Sequence, residues 1–171
     1  KDSYVLHMIK MELVGVRVEL PASAPIVLLR ESTERGLFLP IFVGNSEATS
    51  IALAMDKVEP PRPITHDLLT LVLEALDAEL QRVVVTEIQD KTFFAELHVR
   101  GEKGTRKISC RPSDAIAVAL RMDTPIYVVD DVLQQAGYHI PDDDDQEEHV
   151  LAEFRDFLDD VTPDDFLGDN I

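Results

Sequence analysis

The stretch Ser46-Glu47-Ala48-Thr49-Ser50-Ile51-Ala52-Leu53-Ala54-Met55-Asp56 returns 67 positions later as Ser113-Asp114-Ala115-Ile116-Ala117-Val118-Ala119-Leu120-Arg121-Met122-Asp123. Six of the eleven positions are identical, and Asp114 stands in for Glu47 at a seventh. Both copies place apolar or small residues at the spacing i, i+3, i+4, i+7, through Ala48, Ile51, Ala52 and Met55 and through Ala115, Val118, Ala119 and Met122. That spacing is one stripe of an amphipathic helix, so each copy predicts a helix that begins at a serine cap. The alanines thin the stripe and let the helix backbone lie close to a sheet or to its sister helix.

The same offset runs upstream, where residues 26–30 correspond to 93–97 and residues 37–43 to 104–110. Each pair predicts a hairpin. Phe93, Ala95, Leu97 and Val99 alternate with Phe94, Glu96, His98 and Arg100, the period of a strand with one buried face. A further strand is expected before each hairpin: Val14, Val16, Val18 and Leu20 alternate with polar residues or glycine, and residues 83–88 are rich in β-branched side chains. The repeated unit is β-β-β-α, over about residues 11–58 and 78–125. Between the copies, Pro60-Pro61-Arg62-Pro63 breaks the chain, and Thr65 is expected to cap a helix with Leu69, Val72, Leu76 and Leu80 on one stripe. Pro125 introduces a short apolar strand, 126–129, and a last amphipathic helix carries Val150, Leu151, Phe154, Phe157, Leu158 and Val161. Two exposed Phe on a free helix are costly, so that helix is expected to dock on the domain.

A half of about 55 to 60 residues buries too little surface to be comfortable alone. The expectation is one α+β domain, residues 8–141, in which a duplicated β-β-β-α unit forms mixed sheet packed by helices. Residues 1–7 read as a remnant ahead of a start methionine at Met8, and residues 142–171 as an acidic tail. The strand at 37–43 contains Pro40 and reads as an edge, so the chain is expected to self-associate, with a dimer as the first expectation.

The chain has 171 residues, 45% hydrophobic and 29% charged, the composition of a globular domain. Its longest apolar run is the six residues 115–120, against roughly 20 for a spanning helix, so no membrane crossing is expected. One cysteine, Cys110, and no signal-peptide pattern point to a reducing, cytoplasmic setting. The net charge of -17 argues against a polyanion ligand until its distribution is read. Residues 142–171 hold 13 Asp and Glu against one Arg, which makes the acidity a tail property and reads first as a solvated face. By contrast residues 100–111 hold five Lys and Arg against Glu102 alone. A basic hairpin of this kind fits a phosphate backbone, with Phe94 or Tyr127 as a stacking face, and equally an edge strand guarded against pairing.

There is no Gly-rich phosphate loop, no Gly-x-Ser-x-Gly, no His-Glu-x-x-His and no Cys-x-x-Cys. Cys110 reads as a small buried residue rather than a nucleophile. Polar groups collect instead at three helix entries: Gly44-Asn45-Ser46-Glu47, Arg62-Pro63-Ile64-Thr65-His66-Asp67 and Arg111-Pro112-Ser113-Asp114. Helix N-termini present free N–H groups and partial positive charge, which suits phosphate. The same positions stabilise a helix with no function, since a first-turn acid contributes about 0.3 to 1 kcal/mol by itself. If the entries meet, Glu47, Asp67 and Asp114 are candidate ligands for Mg²⁺ or Mn²⁺, and His66 a candidate general base or acid. Arg62 and Arg111, with Ser113, Arg106 and Lys107, are candidate phosphate contacts. An ion pair of either arginine with Asp67 or Asp114 is the alternative. No organic cofactor is expected.

These motifs carry a resemblance. The succession Leu39-Pro40-Ile41-Phe42-Val43-Gly44-x-x-Glu47-Ala48, Arg62-Pro63-x-Thr65-His66-Asp67-Leu68, Arg111-Pro112-Ser113-Asp114-Ala115-Ile116-Ala117 and Pro125-Ile126-Tyr127-Val128 resembles the bifunctional nuclease family over roughly residues 11–141. The stretches Val58-Glu59-Pro60-Pro61-Arg62-Pro63 and Phe157-Leu158-x-x-Val161-x-Pro163-x-Asp165-Phe166 look most similar to its actinobacterial members. The resemblance implies cleavage of RNA and DNA, a property associated with plant members. Many bacterial relatives append a helical hairpin shared with nucleotide-excision repair proteins; the acidic stretch stands in its place here. The family supplies no catalytic assignment, so the roles of Glu47, His66, Asp67 and Asp114 as catalytic residues rest on their chemistry. The expected function is a metal-dependent phosphodiesterase acting on nucleic acid, and its rival a non-catalytic module that binds an anion or a partner protein.

Overall fold

The computed structural model describes residues 7–18 and 24–140. Seven strands and four helices follow in the order β1 (Met8–Val18), β2 (Pro25–Glu31), β3 (Phe38–Phe42), α1 (Asn45–Met55), α2 (Thr65–Ala75), β4 (Glu79–Gln89), β5 (Thr92–Gly101), β6 (Gly104–Cys110), α3 (Pro112–Arg121), β7 (Ile126–Val129) and α4 (Asp130–Ala136). The strands form one mixed sheet in the order β3-β2-β1-β7-β4-β5-β6. The short apolar β7 sits at its centre, antiparallel to β1 and parallel to β4. The remaining neighbours are antiparallel. This is an α+β domain, as expected, with β3 and β6 at the two edges. No helix among the described residues is long and apolar enough to cross a membrane.

The core lies between the sheet and the helices, with α1 on β1 and β2 and α3 on β4 and β5. Val27, Leu29, Leu39, Val83, Val85 and Val128 come from the sheet, and Ile51, Ile116 and Val118 from the helices. Each such side chain stabilises the fold by roughly 1.5 to 3 kcal/mol relative to exposure. Ala115, Ala117 and Ala119 are buried, and their small size lets α3 lie against both the sheet and α1. All three helices α1, α2 and α3 stop at residues turned left-handed, Lys57, Asp77 and Asp123, with φ near 50°.

Several local expectations are corrected. The N-caps are Gly44, Ile64 and Arg111, none with a side-chain cap bond, in place of the expected Ser46, Thr65 and Ser113. At α2 the first-turn Asp67 reaches back instead, its Oδ2 accepting from the Ile64 N–H at 2.9 Å. At α3, Pro112 occupies the first helical turn, where its missing N–H costs nothing. The stripe expected to bury α2 does not: Leu69, Val72 and Leu76 face solvent, His66 is the buried residue of that helix, and Leu80 belongs to β4. Helix α4 was not expected. Arg35 ties its first residue to the β2–β3 turn by donating to both Asp130 and the buried Glu31. The helix expected around 150–161 lies outside the described residues.

Candidate active site

The three helix entries meet. Arg111 ends the short step from β6 into α3, and its guanidinium forks onto Asp114, Nε to Oδ2 at 2.8 Å and Nη2 to Oδ1 at 2.9 Å. The same Nη2 donates to Glu47 Oε1 at 2.8 Å, joining the first turns of α1 and α3. Asp114 Oδ1 also lies 3.0 Å from His66 Nε2, which brings in α2. On the far side of the ring, His66 Nδ1 lies 2.8 Å from Ser50 Oγ, and Ser50 Oγ receives Nη2 of Arg121 at 3.0 Å. Arg121 completes the chain by donating Nε to Asp67 Oδ1 at 2.6 Å and further bonds to the Ser50 and Ala117 carbonyls.

Two groups of fixed role set these bonds. Arg121 can only donate, so Ser50 Oγ accepts there. The ionised Asp114 carboxylate can only accept, so the bond it makes with the ring is donated by His66 Nε2–H. In connectivity this is a serine, a histidine and an aspartate in line, but in the reverse of a nucleophilic triad. Ser50 is the buried end, 3% exposed, and Asp114 is the end that meets solvent. Arg111 is the most open member, with 65% of its side chain exposed.

Charge is set by the same contacts. Burial pushes the Asp114 carboxyl up, but the Arg111 guanidinium and the His66 ring bonded to it together outweigh that and hold it below the usual carboxylate range. Asp67 is likewise held low, first by its bond from Arg121, against burial and with help from the Ile64 N–H. Arg111 is shifted upward by the bonds it donates to Asp114 and Glu47, against burial. Burial, and then the nearby Asp114 charge, push the Cys110 thiol up to about 11, so it stays a protonated thiol at neutral pH.

Of the residues singled out in the sequence, Glu47, His66, Arg111 and Asp114 share one cluster, and Asp67 joins it through Arg121 and Ser50. Arg62 is exposed and bonded to no described residue. Ser113 is buried in the first turn of α3. Strand alternation places Arg106, opposite Val99, on the α3 side of the sheet. Lys107, opposite His98, is on the other face, 3.7 Å from Glu96. Phe94 and Tyr127 share that other face by register. Ser50 and Arg121 had not been anticipated. In the repeat they stand opposite Ala117 and Ala54, and those departures from the repeat are the signal that marks them.

Glu47, Asp67 and Asp114 each give an oxygen to a guanidinium. Among the described residues no group of three or more His, Cys, Asp or Glu is arranged to hold a metal ion. The donor set as it stands does not fit a resident divalent ion.

A seven-stranded mixed sheet that brings three helix entries to one cluster of arginine, carboxylate and imidazole defines a small α+β domain with a polar site at helix N-termini. The chain belongs to the bifunctional nuclease domain family, whose model matches residues 27–141. It is similar to Uncharacterized protein Rv1829 of Mycobacterium tuberculosis, with 46% identity over 163 residues, 92% of this chain and 97% of that one. It is also similar to Bifunctional nuclease 2 of Arabidopsis thaliana, with 32% identity over 111 residues, 63% of this chain and 33% of the plant protein. Bifunctional nuclease 1 of Oryza sativa subsp. indica is 24% identical over 141 residues, 80% of this chain and 43% of the rice protein.

Proposed function

We propose that this chain hydrolyses phosphodiester bonds of RNA, DNA or both at the cluster of Arg111, Asp114, Glu47 and His66. The observation that carries the reading is the exposed Arg111 guanidinium sharing Asp114 with the buried His66 ring. The matching family model and the plant relatives, which bear the name bifunctional nuclease, support the same reaction class.

A phosphodiester offers Arg111 two oxygens in the fork geometry that Asp114 now fills. As the guanidinium turns to phosphate, Asp114 loses the bond that contributes most to keeping it ionised, and it becomes a better proton acceptor. It takes a proton from a water molecule whose oxygen attacks phosphorus. The P–O ester bond then breaks, and the leaving oxygen takes a proton from solvent. His66 reaches the reacting atoms only through Asp114, so it is a positioning residue, held by Ser50 on one side and donating from Nε2 on the other. Arg106, on the same sheet face, extends the phosphate track toward the β5–β6 turn. The half-buried Cys110 thiol suits a reducing compartment.

One observation favours a second reading. Each carboxylate of the cluster is already matched by a guanidinium, the resting arrangement of a notch that exchanges one anion for another. On that reading Arg111 binds a phosphorylated ligand without cleaving it.

The test is cleavage of end-labelled single-stranded RNA and DNA by wild type and Arg111→Ala, with Mg²⁺, Mn²⁺ or EDTA present. Wild-type cleavage that falls at least tenfold in the variant supports hydrolysis at this cluster, and the three ion conditions read the metal dependence. Phosphate-ligand binding that depends on Arg111, without cleavage, favours the second reading.

A further inference from the structure

We infer that the outward face of α2 is a seam between two copies of this chain, paired antiparallel about a twofold axis. Leu68, Leu69, Leu71 and Val72 of α2 and Leu76 at its end are 55%, 42%, 46%, 45% and 69% exposed. At about 100° per residue they cover an arc of roughly 160° on the helix. Asp67 and Glu74 fall outside that arc. An uninterrupted apolar surface of this kind on a short helix is costly in water and marks an interaction site.

Area and charge both point to a second copy. The five side chains present on the order of 450 Å² of surface, and a standard interface buries about 800 Å² per partner, a little over half of it apolar. Residues 65–79 carry Asp67, Glu74, Asp77 and Glu79 with no Lys or Arg, so the acidic segment 142–171 and an anionic lipid surface would both meet like charge there. In an antiparallel copy the acids at the end of α2 face the start of its partner helix, where the charge of Asp67 is already matched by Arg121. These acids, Glu74 and Asp77, come there to a start where the helix dipole is positive and the exposed Arg62 is bonded to no described residue.

The sheet edges, where self-association was expected, are guarded. Edge β3 carries Pro40 and is bridged by Tyr138, with Phe38 N–H donating to the Tyr138 carbonyl at 2.8 Å and the reverse bond at 3.0 Å. Edge β6 carries Arg106 and Lys107, both exposed. The apolar seam on α2 has no such protection.

Sedimentation velocity of the full chain at about 10 μM tests the seam. The expected wild-type mass is twice 19.2 kDa. The double variant Leu68→Glu/Leu76→Glu, altered only at exposed positions, is expected at the one-copy mass with unchanged far-UV circular dichroism. Arg62→Glu is expected to raise the dissociation constant several-fold at low salt. Ile108→Glu, on the exposed β6 edge, is expected to keep the two-copy mass. A wild type of one-copy mass overturns the seam, as does a Leu68→Glu/Leu76→Glu chain that keeps the two-copy mass. Unaltered association of Arg62→Glu overturns the antiparallel direction.

Discussion

His66 Nε2 lies 3.0 Å from Asp114 Oδ1, a bond between helix entries 48 residues apart in the chain. It turns a surface carboxylate into one end of a buried polar line that runs through Ser50 to Arg121 and Asp67. The position of Asp114 is therefore fixed from inside the domain, while its charge is held chiefly by Arg111, which bonds both of its oxygens at the surface.

His66→Gln keeps a donor near Asp114 but shortens the reach to Ser50. Cleavage is expected to fall by about 10- to 100-fold through loss of positioning, within the range that proton-transfer groups contribute. The pH dependence of the remaining rate is expected to be altered, and a rate and profile equal to wild type would remove His66 from the site.

Arg121 is the buried hub, its side chain 10% exposed and bonded to Asp67, Ser50 and the Ala117 carbonyl. Arg121→Met removes one partner of a partly buried pair and is expected to destabilise the fold by roughly 3 kcal/mol. Thermal or urea unfolding checks this. A change under about 0.5 kcal/mol would mean that the network adds nothing to stability.

Gly44 lies under the Glu47 carboxylate: a Cβ added there would come within 2.2 Å of Glu47 Oε2. The flexible carboxylate is expected to swing away in Gly44→Ala, opening its bond to Arg111 while the fold is retained. Phosphate affinity should rise as Arg111 loses one competing anion, and titration calorimetry with a short oligonucleotide reads it.

Asp67 and Asp114 are held below the ordinary carboxyl value of 3.8 in the folded chain and return to it on unfolding. A depressed folded value stabilises the fold above the unfolded value, and that stability is lost as pH falls through 3.8 and on through the lower folded value. The melting temperature is expected to stay level from about pH 7 to 5 and to drop below about pH 4, less steeply in Asp67→Asn.

Strand alternation and the repeated helix segment were enough to place the strands and helices α1 and α3, because burial on one face leaves a period in the residues themselves. The direction of α2 was not legible. Leu69, Val72 and Leu76 announce an apolar face, but nothing local says whether a core or another molecule covers it. Helix α4 was hidden because Asp130-Asp131 opens it and only Val132 and Leu133 are buried. The cluster was legible as three separate entries, since Glu47, His66, Arg111 and Asp114 each sit where a helix begins. Ser50 and Arg121 sit inside or at the far end of helices, and only the folded packing of α1 on α3 gives them a shared role.

The measurement that bears most directly on the proposed site is the single-turnover cleavage rate of Asp114→Asn beside wild type, purified in parallel. Asparagine keeps the shape, and its Oδ1 can still accept from His66 Nε2 and Arg111 Nη2, but it loses the bond from Arg111 Nε and cannot accept a proton from water. A fall of at least about 100-fold in a chain with wild-type far-UV circular dichroism is the expected result. Equal rates in the two preparations would contradict the assignment and place the cleavage elsewhere.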